Sequence, residues 1–219
     1  MKLEEIIDIS KTVGNSLFKN ITYIWEVLPK IEDNIIDIGN SLDKDKYTMI
    51  EENIWVGNNT KIDKLSTIIA PCIIGENTEI RPGAYLRGNV IIGDNCVIGN
   101  SVEVKNSIIF DNSQIPHFNY VGDSILGYHS HLGAGVILSN LKNDESNIVI
   151  RGIDTNMIKL GSIIGNNVNI GSSSVLYPGT IIGKNTNIYP LTRVRGIINS
   201  NSIVKDENTV VDKEVNYDK

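Results

Sequence analysis

Cysteine is nearly absent from the chain. It has two, Cys72 and Cys96, among 219 residues. That is too few for a disulfide scaffold or a zinc framework, and the two lie too far apart for a CxxC motif, so both read as small buried side chains. Histidine is equally scarce at three, and aromatic residues make up only 6%. No stretch approaches ~18 uncharged apolar residues, which excludes a membrane-spanning helix of the usual length. There is no excess of positive charge either. Twenty Lys and Arg against 26 Asp and Glu give a net charge of -6, so nothing draws the chain as a whole to nucleic acid or an anionic membrane, and only a local basic pocket remains open. The opening Met1-Lys2-Leu3-Glu4-Glu5 is acidic where a secretory signal needs a basic segment and an apolar run, so a cytoplasmic address is expected.

What the chain does have is ordinary for a soluble globular protein, 41% hydrophobic and 21% charged residues, in a length suited to one domain, or to one large domain with a small appendage. It also has a repeat. Stepping by six from Val56 gives Ile62, Ile68, Ile74, Ile80, Leu86, Ile92, Ile98, Val104 and Phe110. A second register runs through Leu126, Leu132 and Leu138, and a third through Ile158, Ile164, Ile170, Leu176, Ile182, Ile188 and Val194. No helix has that period. Four residues after each apolar position the side chain is usually small, as at Thr60, Cys72, Thr78, Ala84, Cys96, Ser162, Ser174 and Thr186, and Gly with Asn or Asp often follows the apolar residue. Those last types accept the positive φ of tight corners. A short strand and a corner every six residues cannot bury an apolar side alone and must stack on copies of itself.

This pattern resembles the hexapeptide-repeat left-handed β-helix, a mainly β fold with three hexads to a coil of about eighteen residues, an exception to the right-handed crossover rule. The resemblance stacks Ile74, Ile92 and Phe110 in one interior column. The register breaks twice, between Phe110 and Tyr120 and again from 139 to 157, and solenoid insertions become loops on one face. Residues 51–204 are therefore expected to form the β-helix, with an external loop at 139–157 and a C-terminal tail at 205–219. Residues 1–50 carry no hexads. Leu3, Ile6, Ile7 and Val13, then Leu17, Ile21, Ile24 and Leu28, fall at helical spacings, which predicts a short N-terminal helical cap or linker covering an open end of the coil.

Three stretches carry a closer resemblance: Ile80-Arg81-Pro82-Gly83-Ala84, then Asn100-Ser101-Val102-Glu103-Val104-Lys105, then Pro116-His117-Phe118-Asn119-Tyr120-Val121-Gly122-Asp123, followed by Gly133-Ala134-Gly135 and Asn140. In order and spacing they resemble the acetyltransferase domain of the bifunctional N-acetylglucosamine-1-phosphate uridyltransferase family and its archaeal sugar-phosphate nucleotidylyltransferase relatives, over roughly residues 54–198. The resemblance implies an acetyl-CoA-dependent N-acetyltransferase acting on glucosamine 1-phosphate or galactosamine 1-phosphate, in UDP-N-acetylglucosamine biosynthesis. It implies that Arg81 and Tyr120 hold the sugar phosphate, Lys105 contacts the sugar, Asn140 places it, His117 is the general base and Ser172 lies near the thioester. Lys184, Arg193 and Arg195 are the corresponding candidates for the phosphates of CoA. The types suit the chemistry. An amine attacking a thioester must lose a proton, which imidazole can take near neutral pH, a hydroxyl or amide can steady the oxyanion, and Arg matches a phosphate dianion. By the same resemblance the molecule is a homotrimer with active sites between subunits and no metal.

The chain departs from the family at His131, where the bacterial enzymes have Asn, and at Asn140-Leu141-Lys142-Asn143-Asp144 in place of Asn-Tyr-Asp-Gly, which leaves the sugar epimer open. Fifty residues without a Gly-rich loop do not make a nucleotide-binding domain, so no pyrophosphorylase activity is expected of this chain. Two other readings stand beside the first. One is a γ-carbonic-anhydrase-like metal hydratase using His117, His129 and His131, against which their spacings of twelve and two speak. The other is a non-catalytic trimer that binds a sugar phosphate or nucleotide sugar.

Overall fold

The computed structural model of the chain describes residues 3–214. Its hexads form short strands joined by corners, three to a coil, and strands of successive coils pair in parallel. Three faces result, named A, B and C in the order the chain visits them. Cys72–Ile74 and Val90–Ile92 lie on face A, Glu79–Ile80 and Val97–Asn100 on face B, and Tyr85–Arg87 and Glu103–Lys105 on face C. Faces A and B hold nine strands each and face C seven. This is the mainly β, hexapeptide-repeat helix that the spacing predicts. Among the described residues no helix is long and apolar enough to cross a membrane.

The period follows from what each hexad buries. One branched side chain per strand points inward, and Ile74, Ile92, Leu86, Ile98 and Val104 are all fully enclosed, each worth ~1.5–3 kcal/mol. The small slot has its own reason. At Thr78 the hydroxyl donates to the Gly93 carbonyl at 2.9 Å and accepts from the Cys96 amide at 3.0 Å, tying one coil's backbone to the next inside the corner. Ser113 and Ser130 repeat the device. Cys72 and Cys96 are buried in the same slot, and burial pushes both thiols up to about 12. At the A–B corner Asn77, Asn95, Asn112, Asn167 and Asn185 all have φ between 55° and 61°, the left-handed region that Asn tolerates best after Gly.

The expected column is corrected at Phe110. Ile92 pairs with Ile109, which pairs with Leu126, so this coil closes one residue early and Phe110 is turned outward. The chain from Phe110 to Tyr120 forms no loop, because Gln114–His117 is an ordinary face B strand with Ile115 inward. Ile158, expected to resume the third register, is 51% exposed, and the column restarts at Ile164.

The N-terminal segment adds the strand Tyr47–Glu51, antiparallel to Ile54–Gly57, at the edge of the first coil, but its helical part does not cover an end. It runs along the outside of face A against the direction of the stack. The Ile6 carbonyl accepts from the Asn166 amide and the Lys11 carbonyl from the Asp111 amide, Phe18 meets Phe110 edge-on at 5.8 Å, and the helix Val27–Asn40 reaches the first coil. There Gly39 lies flat on the Trp55 indole, where a Cβ would collide with the ring. The physical cause is a second apolar row. Ile73, Ile91, Ile108, Ile125, Ile163 and Ile181 point out of face A and are buried with Val27, Leu28, Ile31 and Ile35. Face A is thus apolar on both sides, and the helices are its outer layer.

The chain leaves the coil after Ile137–Leu138 and returns at Ser162–Ile164, with a hairpin of Val149–Ile150 and Ile153–Asp154 between. Ile148 and Ile150 fold back under cover. At the far end Ser202–Asp206 pairs antiparallel with Thr209–Asp212, so the tail expected from 205 begins inside a strand. Residues 215–219 of that tail, like Met1 and Lys2, lie outside the described residues.

Candidate active site

On the C–A edge three consecutive coils bring Lys105, Tyr120 and Asn140 together around a carboxylate. Lys105 is in register with Gly122, and Val121 with Leu138. Asp123, 4% exposed, accepts from Asn106 Nδ2 at 2.9 Å and from Asn140 Nδ2 at 2.5 Å and faces Lys105 Nζ at 3.8 Å. Asn140 Nδ2 also donates to the Tyr120 hydroxyl oxygen at 3.1 Å. A buried carboxylate needs donors of this number, since an unpaired one is costly. Gly122 makes the cluster possible, because a Cβ there would lie 2.5 Å from the Tyr120 hydroxyl and 2.9 Å from Asn140 Nδ2. Burial, and then the charge of Asp123, raise the Tyr120 pKa, so the phenol keeps its proton. Neither Asp123 nor Asn106 was singled out from the sequence. The visible signal was Asp123's place at the end of the Tyr-Val-Gly-Asp stretch.

The B–C edge carries the other expected residues. Arg81 follows Glu79–Ile80 and pairs with Glu79 at 3.1 Å. His117 ends its strand opposite Asn100 with its amide donating to Asn119 Oδ1 at 3.2 Å. The imidazole is exposed, and among the described residues it has no hydrogen-bond partner. Ser172 sits on the same edge, also exposed. The Gly135 amide donates to the His117 carbonyl and the Ser173 amide to the Ala134 carbonyl, so Ser172 stands two coils from His117, roughly 10 Å at the usual strand spacing. Arg81 is two coils away on the other side. These three share an edge without touching, and within one chain they are divided from the Asp123 cluster by the width of face C. Arg87 does share a column with Lys105, but it pairs with Glu103 at 2.6 Å.

The late cations are not brought together. Lys184 lies at an A–B corner near Asp8, Arg193 faces out of face C in an ion pair with Glu207, and Arg195 is on the C–A edge. The histidines are scattered as well. His129 Nδ1 is 3.2 Å from Asn167 Oδ1 at the A–B corner, and His131 Nδ1 is 2.9 Å from Asn169 Oδ1 on face B. Among the described residues no group of three His, Cys, Asp or Glu could hold a metal ion.

Comparison with known proteins fits this architecture. Residues 68–168 match the family described as the GMPPB C-terminal domain, and 161–196 match the bacterial transferase hexapeptide (six repeats). A bifunctional protein GlmU of Methanococcus maripaludis is 39% identical over 96% of this chain and 54% of its own length, and one of Methanococcus vannielii is 36% identical over 98% and 54%. A bifunctional sugar-1-phosphate nucleotidylyltransferase/acetyltransferase of Sulfurisphaera tokodaii is 38% identical over 50% of this chain and 28% of its own. Among solved structures, a mutant of AntD, an N-acyltransferase from Bacillus cereus in complex with dTDP and coenzyme A, is 20% identical over 78% of this chain and 91% of its own, with a TM-score of 0.48. The chain spans about half the length of the curated GlmU relatives that it matches from end to end. Its hexads fold into a three-faced β-helix, residues 161–196 are similar to the bacterial transferase hexapeptide family, and nearly all of the chain is similar to part of the GlmU relatives.

Proposed function

We propose that the protein transfers an acetyl group from acetyl-CoA to the amine of a hexosamine 1-phosphate. The observation that carries this reading is His117, an exposed imidazole with no hydrogen-bond partner among the described residues, on an edge that also presents Arg81 and Ser172. In the reaction the amine nitrogen forms a bond to the thioester carbonyl carbon, His117 takes the amine proton, and the carbon–sulfur bond breaks to release CoA thiolate, which is protonated to the thiol. Ser172 steadies the oxyanion between these events. Arg81 turns from Glu79 to the sugar's phosphate, while Lys105, Tyr120 and Asn140 hold the sugar, so much of the acceleration is positional. A convex edge offers one wall. The second is supplied by a neighbouring copy in a homotrimer, which brings the Asp123 cluster of one subunit opposite His117 of the next.

The test is release of CoA thiol from acetyl-CoA, with glucosamine 1-phosphate and galactosamine 1-phosphate as separate acceptors. Release dependent on one acceptor is expected, reduced at least 100-fold in His117→Ala. No release with either acceptor from folded wild type overturns the transfer reading and leaves a sugar-phosphate binding module.

A further inference from the structure

Outside face A the N-terminal segment and the external loop do not close on each other. Between residues 21–25, the tip of the Val149–Ile150 hairpin and the outward side chains of Ile181 and Ile197 lies a hollow of about 290 Å³. Protein interiors leave few voids larger than one water, and this one equals about ten waters at ~30 Å³ each. Its wall is mostly isoleucine, with Ile24 and Ile150 buried and Ile153 half-open at the mouth. Water is poorly held by such a wall, because it needs several polar partners. No carboxylate lines the hollow, and its polar side chains can all donate. Tyr23 and Trp25, stacked 4.7 Å apart and parallel within 4°, bring a phenol and an indole N–H, and among the described residues neither group has a hydrogen-bond partner. Arg151 is the one charged residue in the wall, and among the described residues it has no ion pair. It has φ 48° and is followed by Gly152 at 79°, a hairpin tip where Asn or Gly is the unstrained choice. An arginine is kept there against its backbone preference.

We propose that this hollow binds a small amphipathic carboxylate, with a phenylalkyl or medium alkyl body against the isoleucines and the acid at Arg151. An apolar wall with a few polar groups is the make-up of a small-molecule site. One cation suits one negative charge, and the planar guanidinium fork matches a carboxylate. Donors without an acid beside them leave the acceptor to the ligand. The hollow lies outside face A, whereas His117 is on the B–C edge and the Asp123 cluster on the C–A edge, so the inference stands or falls apart from the transfer reaction. An occupant touches both the N-terminal segment and the hairpin, and it therefore ties the outer layer to the external loop.

Isothermal titration of the full chain with octanoate and 3-phenylpropionate, with the amide of each and with acetate, tests it. One of the two acids is expected to bind saturably, one per chain, and about tenfold or more tightly than its own amide. Acetate, the head without the body, is expected not to bind. The tighter acid tells an alkyl occupant from an aryl one. Arg151→Gln is expected to bring the acid down to the affinity of the amide, and Ile153→Trp, which fills the mouth, to abolish the binding of both. Hydrogen exchange should slow at residues 21–25 and 148–155 when the acid is bound, because binding stabilises the segments it joins. The proposal is overturned if neither acid binds, if acid and amide bind alike, or if CoA displaces the acid. It is equally overturned if either variant, folded by circular dichroism, binds the acid as wild type does.

Discussion

Asp123 is the residue through which the C–A edge is held. Its oxygens fix Asn140 and Asn106 and face Lys105, and its own φ of 48° is one that Asn also adopts. Asp123→Asn therefore keeps the backbone and the volume while removing the charge and setting an amide group against donors. If these side chains hold the sugar, KM for the acceptor rises about tenfold with little change in kcat, and a variant whose kcat falls alone would point instead to the reacting atoms. A second carboxylate acts on stability. Burial raises Asp111 from 3.8 to about 6, so the folded chain keeps a proton over the interval where the unfolded one has lost it. The unfolding free energy from this group thus falls as pH rises from about 4 to about 6 and is flat above. Asp111→Asn retains the oxygen that accepts the Asp94 amide and removes that slope. At pH 7 it is expected to stabilise by on the order of 1 kcal/mol, the half-exposed site being partly screened by solvent. Urea unfolding of both proteins between pH 4 and 7 measures the difference. Neither carboxylate's role was legible in the sequence, because burial of a charge depends on neighbours one coil away.

Among the elements, the strands were readable and their outer coverage was not. The inward column could be counted from Val56 to Val104 because one branched residue per hexad has nowhere else to go. The count failed at Phe110 because the sequence offers two adjacent apolar residues there, Ile109 and Phe110, and only the parallel register decides which one turns in. The doublets Ile73-Ile74, Ile91-Ile92, Ile108-Ile109, Ile163-Ile164 and Ile181-Ile182 held the missing information. In these five pairs both surfaces of the strand are buried, which marks face A as the seat of the N-terminal helices. Phe110 is now part of that outer seam with Phe18. Phe110→Ala should cost ~3–5 kcal/mol in chemical unfolding. A loss below 1 kcal/mol would mean that the helical layer does not pack as described.

At the scale of the molecule, the two halves of the expected site lie on opposite edges of face C, a separation the hexad count alone did not convey. If active sites form between copies, His117→Ala and Lys105→Ala, each inactive alone, regain part of the wild-type rate when co-expressed and purified as mixed trimers, because some interfaces pair an intact edge with an intact edge. Absence of any regain would place the whole site within one chain. The layer on face A has a different consequence, one for the order of assembly. The segment around Ile6 precedes the coils in sequence, yet the Ile6 carbonyl accepts from Asn166, and the apolar row beneath its layer extends to Ile181. It has no complete seat until most of the coils exist. This segment is then among the last to dock, and its docking clasps early and late coils together, so a stack that would otherwise fray one repeat at a time is closed by a strap along its outside.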